Sequence, residues 1–191
     1  MTTALRRQEP VIIEAFDKFI EAQADPTLFE LVEGVIVMMT NPTEVHEQIA
    51  SNIGAPLKLA IDVRGCRTYL GGIRVQLSDD PRDTDKTRPD VVVRCGALGT
   101  KNYITDPLVV VEVLSPSTMD TDRGPKLEFY KSLQTVRHIA LVYQDQMRVE
   151  HYRREERGFE LDVLTHPEEV LFFEAVAFRI DLARIYFGVT L

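Results

Sequence analysis

The 191-residue sequence predicts an α/β fold, with helices packed on a mixed central sheet and an antiparallel meander toward the C-terminus. Three observations carry this. Two valine-rich runs, at residues 88–93 and 108–114, are short, bounded by turn residues and apolar almost throughout, which is how strands buried on both faces read. Segments 44–62 and 122–133, before and after them, repeat apolar residues at helical spacing. Further on, Met147-Arg148-Val149-Glu150-His151-Tyr152-Arg153 and Phe159-Glu160-Leu161-Asp162-Val163-Leu164 alternate strictly, the pattern of antiparallel strands with one covered face.

Taken in order, residues 1–9 lack the apolar stretch of a secretory signal and read as a frayed tail. Residues 10–20 set Val11, Ala15, Phe16, Phe19 and Ile20 on one helical face, and Asp25-Pro26 ends that helix. Residues 29–38 read as a hairpin turning at Glu33-Gly34. Thr43 is placed to cap the helix at 44–62, where Ile49, Ile53 and Leu57 recur four apart and Pro56 predicts a kink. Residues 66–77 read as a strand or bent pair of strands interrupted at Gly71-Gly72. Residues 78–87 form a charged, solvated loop. After the valine strands, Thr121 or Asp122 caps the helix at 122–133, and residues 136–143 begin the meander. Residues 171–177 are apolar without a clear period, and 181–187 close the chain as a short helix. No repeat or linker interrupts the pattern, so residues 1–191 read as a single domain.

A net charge of −8, from 30 acids and 22 bases, means that affinity for nucleic acid must come from a concentrated basic strip or from bridging metal ions. No apolar run approaches the roughly 18–20 residues of a membrane span. Cys66 and Cys95 lie far apart without a signal peptide and read as free thiols in a reducing cytoplasm. His46, His138, His151 and His166 show no zinc spacing, the serines form no nucleophile elbow, and no glycine-rich phosphate loop is present.

The chemistry concentrates between Arg88 and Lys126. Asp90 opens one valine strand and Glu112 interrupts the next. A carboxylate in such surroundings is costly unless it is paired or holds a cation. Neighbouring strands lie about 4.8 Å apart, so acids at matching depth can share one hard cation. Mg²⁺ fits, because it takes one or two protein carboxylates and keeps waters and phosphate oxygens for the rest. Structural alternatives stand beside this. Asp90 could cap a loop or pair with Arg88, Glu112 could pair with an arginine such as Arg74, and Lys126 alone reads as a solvated helix residue.

Arg88-Pro89-Asp90, the string Val111-Glu112-Val113-Leu114-Ser115-Pro116-Ser117-Thr118, and Asp122-Arg123-Gly124-Pro125-Lys126-Leu127-Glu128-Phe129-Tyr130 together resemble the bacterial Uma-two family of restriction-endonuclease type, within the PD-(D/E)XK nuclease superfamily. The resemblance implies a restriction-endonuclease-like three-layer α/β/α core and hydrolysis of DNA phosphodiester bonds dependent on Mg²⁺ or Mn²⁺. It makes Asp90 and Glu112 the metal ligands. The superfamily places a lysine two residues after the second acid, where this chain has Leu114, and the family moves that role to the position of Lys126. Tyr130 lies one turn on, on the same helical face. His46 matches a position that is often histidine in the family, and Glu33 is a further accessory candidate. Arg74, Arg88 and Arg123, with Arg64, Arg67 and Lys126, form the candidate strip for DNA phosphates, and a homodimer follows by analogy with palindrome-reading restriction enzymes. The expected function is a Mg²⁺-dependent DNA endonuclease. Two alternatives remain. One is a catalytically weak or inactive nuclease-fold protein acting by binding or assembly, which the acidic charge and Leu114 support. The other is a metal hydrolase on the same scaffold acting on something other than nucleic acid.

Overall fold

A computed structural model describes residues 9–61, 65–116 and 118–191. The expected tail, the helix end at Asp62, Arg64 and Ser117 lie outside the described residues apart from Glu9. Helix α1 (Ile13–Glu21) buries Phe16 and Ile20 of the expected face, together with Ile13, whereas Ala15 is exposed. Strands β1 (Phe29–Val32) and β2 (Val35–Met38) form a hairpin whose register, Val32 opposite Val35, leaves Glu33-Gly34 as the two-residue turn. Both turn residues have positive φ, 48° and 73°, as the twist of such a hairpin requires. A side chain at Gly34 would meet Cβ of Pro10 at 2.4 Å, so only glycine fits there.

Helix α2 (Glu44–Ile61) is capped by Thr43, whose Oγ1 accepts the His46 backbone N–H, and it continues across Pro56. The chain then divides at Gly71-Gly72. β3 (Cys66–Leu70) joins the central sheet and β4 (Arg74–Gln76) joins another. β5 (Lys86–Thr87) follows, then β6 (Val91–Cys95), β7 (Tyr103–Ile104) and β8 (Val109–Leu114). A helical turn, α3 (Met119–Thr121), a π-helical turn (Asp122–Lys126) and α4 (Leu127–Ser132) lead to β9 (His138–Tyr143), β10 (Val149–Glu155) and β11 (Gly158–Leu164). The apolar stretch without a period resolves into β12 (Val170–Phe173), one 3₁₀ turn and β13 (Phe178–Asp181), which pair antiparallel before α5 (Leu182–Ile185).

The central sheet has the order β11-β10-β9-β8-β6-β3. Within it β8 and β9 run parallel and the other neighbours antiparallel, so the sheet is mixed, and β9 to β11 form the expected meander. Ile49, Ile53, Leu57 and Ile61 of α2 pack with the C-terminal hairpin and α5 on one face, against Val91, Val93, Val111 and Val113. Leu127 and Tyr130 of α4 pack on the other face, against Val92, Val110 and Leu114. This is the three-layer arrangement of restriction-endonuclease-like nucleases. A second sheet, β2-β1-β5-β4-β7, adds to the α4 side, and the charged loop that contributes β5 gives no sign of it.

The free-thiol expectation is corrected. Cys66 and Cys95 are register partners on β3 and β6 and form a disulfide across a sequence separation of 29. Antiparallel pairing, invisible in the spacing, brings them together, and the two cysteines no longer point to a reducing compartment. For a loop of that length the chain-entropy model gives about 3–4 kcal/mol of stabilisation. Adding a reductant is therefore expected to lower the urea midpoint of the wild-type chain and leave a Cys66→Ser/Cys95→Ser variant unmoved. Equal midpoints with and without reductant would refute a stabilising bond.

Candidate active site

The register of β6 against β8 pairs Val91 with Val111 and Val92 with Val110, and one step further it sets Asp90 opposite Glu112. Side chains alternate along a strand. Val91, Val93, Val111 and Val113 face α2, so Asp90 and Glu112 both project toward the α4 side. They line one cleft of about 470 Å³, together with Glu30, His46, Arg88 and Asp122.

Asp90 is held from two sides. Its Oδ2 accepts the Val113 backbone N–H at 2.7 Å and lies 3.2 Å from His46 Nε2, which reaches over from the start of α2. Burial alone would lower the His46 pKa, but the bond and charge of Asp90 override it and hold the ring above its ordinary range. Glu30 on β1 fixes the approach to Asp90 by accepting the Arg88 backbone N–H.

Glu112 is 3% exposed, and its Oε1 receives the Tyr130 hydroxyl at 2.6 Å. Lys126 turns inward and is 1% exposed. Its ammonium lies 2.8 Å from Glu112, 2.9 Å from Asp122 and 3.2 Å from Glu30. The π turn explains how. Gly124 leaves helical torsions ahead of Pro125, and Asp122 and Lys126, four apart, are both buried. Three buried carboxylates around one ammonium leave a surplus of negative charge. Burial pushes Glu112 well above the carboxylate range; Lys126 opposes this, and Asp122, Asp90 and Glu30 add to it. Burial would lower Lys126, yet Glu112 and Glu30 keep it charged, well above its ordinary value. Burial, then the neighbouring Glu112, raises Tyr130 well above the phenol range.

The residues fit a hard divalent cation. The bonds to Asp90 fall on Oδ2 and those to Glu112 on Oε1, leaving Asp90 Oδ1 and Glu112 Oε2 without a side-chain or backbone donor among the described residues. Nor do three histidine, cysteine or acidic side chains among those residues group as a metal cage. Mg²⁺ needs none, since it completes its shell with water and phosphate oxygens.

Other candidates fall elsewhere. Glu33 is exposed in the hairpin turn, away from the cleft, because its positive φ serves the turn; Glu30, three residues earlier, is the acid that reaches the site. Arg74 is 7% exposed and donates to the carbonyls of Phe29 and Pro26 rather than to Glu112. Arg88 lines the cleft; Arg123 does not, but follows Asp122, which does, and is 46% exposed. Arg67 donates to the Cys66 carbonyl. Leu114 is a core residue at 1% exposure. Sequence reasoning missed Glu30 and Asp122. The i, i+4 spacing of Asp122 to Lys126 was the available signal for Asp122.

This fold, with two acids opposed across neighbouring strands beside a buried lysine, defines a restriction-endonuclease-like nuclease scaffold. The chain belongs to the Uma2 family, described as "Putative restriction endonuclease", whose model matches residues 13–183. Its relatives include two Synechocystis proteins. "Uncharacterized protein slr1290" is 26% identical over 161 residues, 83% of each chain, and "Uncharacterized protein sll1609" is 25% identical over 129 residues, 65% of this chain and 71% of that one. The crystal structure of "a putative nuclease belonging to DUF820" from Anabaena variabilis superimposes with a TM-score of 0.73 at 20% identity, covering 93% of this chain and 98% of that one. No helix among the described residues is long and apolar enough to cross a membrane.

Proposed function

We propose that this protein is a Mg²⁺-dependent endonuclease that hydrolyses DNA phosphodiester bonds, with Mn²⁺ as an alternative ion and Asp90 and Glu112 as metal ligands. The observation that carries this is the pairing of Asp90 and Glu112 on one face of adjacent strands, open to the same cleft. A bound divalent cation would polarise the phosphate and lower the pKa of a coordinated water. The chain's own residues do the rest. His46 and the Val113 N–H orient Asp90, and Glu30 anchors the backbone leading into it. Tyr130 and Lys126 orient Glu112, and Lys126 supplies the charge that favours its ionised form. Lys126 does not line the cleft, so it assists the attacking water or the transition state through Glu112. A homodimer remains part of this reading by analogy with palindromic recognition.

The burial of Lys126 and the net charge of −8 favour a second reading, a weak or inactive nuclease scaffold that binds without cutting. Plasmid and single-stranded DNA, incubated with Mg²⁺ or Mn²⁺, separate the two. Cleavage that falls by about 10²-fold or more in Asp90→Ala and Glu112→Ala supports the endonuclease, on the scale of losing one preorganised electrostatic element. Cleavage unchanged in both variants sinks the proposed site. Absence of cleavage by the wild-type chain with retained binding selects the second reading.

A further inference from the structure

We infer that Arg123 and Arg148, fixed by the buried carboxylate of Glu150, form a subsite for a nucleic-acid backbone phosphate next to the cleft. The inference rests on the nucleolytic reading of that cleft, because it takes the same substrate. Glu150 on β10 is 1% exposed and accepts five hydrogen bonds from four residues. Its Oε1 accepts from Arg123 Nη2 at 3.1 Å, Tyr143 Oη at 2.9 Å, and Arg148 Nη2 and Nε at 3.0 and 3.3 Å, and its Oε2 from Tyr152 Oη at 3.3 Å. The two guanidinium groups flank the Tyr143 ring, 5.9 and 5.4 Å from its centroid.

A cluster that only neutralised a buried acid would need one arginine. This one holds two around a single carboxylate and carries net positive charge. Each guanidinium has five N–H groups, and only part of each set is spent on Glu150. The arginine side chains remain 46% and 33% exposed, whereas the carboxylate beneath them is closed off. Two guanidiniums with fixed orientation and open N–H edges suit an anionic phosphate, the group they bind in forked geometry.

Their position gives the ligand its class. Arg123 follows Asp122, and Gln144 follows Tyr143; both Asp122 and Gln144 line the cleft. Arg88 lines it as well, donating to the Thr27 carbonyl. The floor is acidic and suits a cation. The basic pair lies next to it along the chain, through Asp122 and Gln144, and suits a phosphate next to one at the floor. In a chain of net charge −8, such a local site supplies affinity that the overall charge opposes.

The test measures binding of a fluorescein-labelled DNA duplex by anisotropy, across a series of salt concentrations, for the wild-type chain, Arg123→Gln, Arg148→Gln and the double variant. Glutamine keeps a donor for Glu150, and melting curves confirm that the variants fold. Arg179→Gln, at an exposed arginine stacked on Phe172, serves as control. The expected result is a Kd raised about tenfold in the double variant, and a salt slope shallower by about one for each phosphate no longer neutralised. The control keeps wild-type values. Identical affinity and slope in the double variant overturn the subsite, whether or not the wild-type chain cuts, as does a wild-type chain that binds no DNA. Weakened binding in the double variant with no cleavage by the wild-type chain keeps the subsite and defeats the endonuclease.

Discussion

Glu112→Gln is expected to make the protein more stable at neutral pH while removing cleavage, and Lys126→Met to remove cleavage while making it markedly less stable. The charge count at the cleft floor dictates the opposite signs. Glu30, Glu112 and Asp122 share one ammonium. Glutamine at 112 keeps an oxygen for the Tyr130 hydroxyl and leaves Lys126 with two partners, so a surplus charge disappears and no donor is orphaned. The gain is about 1–2 kcal/mol, in the range seen when a buried ion is replaced by a neutral group of its shape. Its pH dependence has a definite sign. The folded-state pKa of Glu112 is raised, so the stability it contributes is full below the ordinary carboxylate range and is lost as pH rises through the folded value. The variant's advantage should therefore be clear at pH 8 and vanish near pH 4. Methionine at 126 removes the one ammonium that Glu112, Asp122 and Glu30 share, leaving Glu30 the charge of Arg74, and breaking a buried pair from one side costs about 3–5 kcal/mol. Both variants should lose cleavage by on the order of 10²–10³-fold. Urea denaturation at pH 8 and pH 4, beside a plasmid cleavage assay, reads all of this. A Glu112→Gln chain less stable than wild type at pH 8 would contradict the surplus of negative charge.

The opposed acids Asp90 and Glu112 were legible because Glu112 breaks a rule within one strand. An acid inside Leu108-Val109-Val110-Val111-Glu112-Val113 is anomalous without any knowledge of neighbours, and turn residues already place Asp90 at the start of the strand before it. The helices and strands of the α/β fold were legible for a related reason, since period two and period 3.6 are local properties, while the three-layer arrangement was implied by the family resemblance. What stayed hidden depends on pairing between distant segments. Glu30 looks like an ordinary hairpin residue until the second sheet brings β1 beside β5, whose Thr87 leads directly into Arg88. Arg74 is conspicuous as an arginine in a half-buried strand, but its partners were not legible. Its guanidinium ties β4 to the carbonyls of Pro26 and Phe29 and lies 5.4 Å from the Phe16 ring centre. Cys66 and Cys95 lie at opposite ends of a long excursion, and only strand register makes them neighbours. Charge and hydropathy identify residues that need partners. They do not say which partners the topology supplies.

Lowering the pH from 7 to 5 is expected to cost the fold about 4 kcal/mol through two histidines far from the cleft floor. His138 on β9 and His151 on β10 are diagonal neighbours on one face, 4% and 3% exposed, with their rings against Phe173. The Ala175 backbone N–H donates to His138 Nε2 at 3.2 Å, so His138 carries its proton on Nδ1. That proton meets His151 Nε2 at 3.1 Å, which sets the second tautomer. A further proton on His151 would point two N–H groups at each other. Burial, with Arg153 and Arg137 nearby and Glu174 opposing, lowers His138 to about 4. Burial, then His138 and Arg153, against Asp162, lowers His151 to about 3. Both rings stay neutral in the folded chain while the unfolded chain takes up protons below pH 6.5. Stability is therefore full above that value and falls by about 1.4 kcal/mol per ring per pH unit toward the folded values. Two rings over the roughly 1.5 units from 6.5 to 5 give about 4 kcal/mol, a large share of a typical stability of about 5–15 kcal/mol. His138→Gln, which can still accept from Ala175 and donate to His151, removes one titrating ring and should halve the drop. Urea midpoints measured at half-unit steps from pH 7 to pH 5 report it directly, and a flat profile for the wild-type chain would show that the pair accepts protons without unfolding.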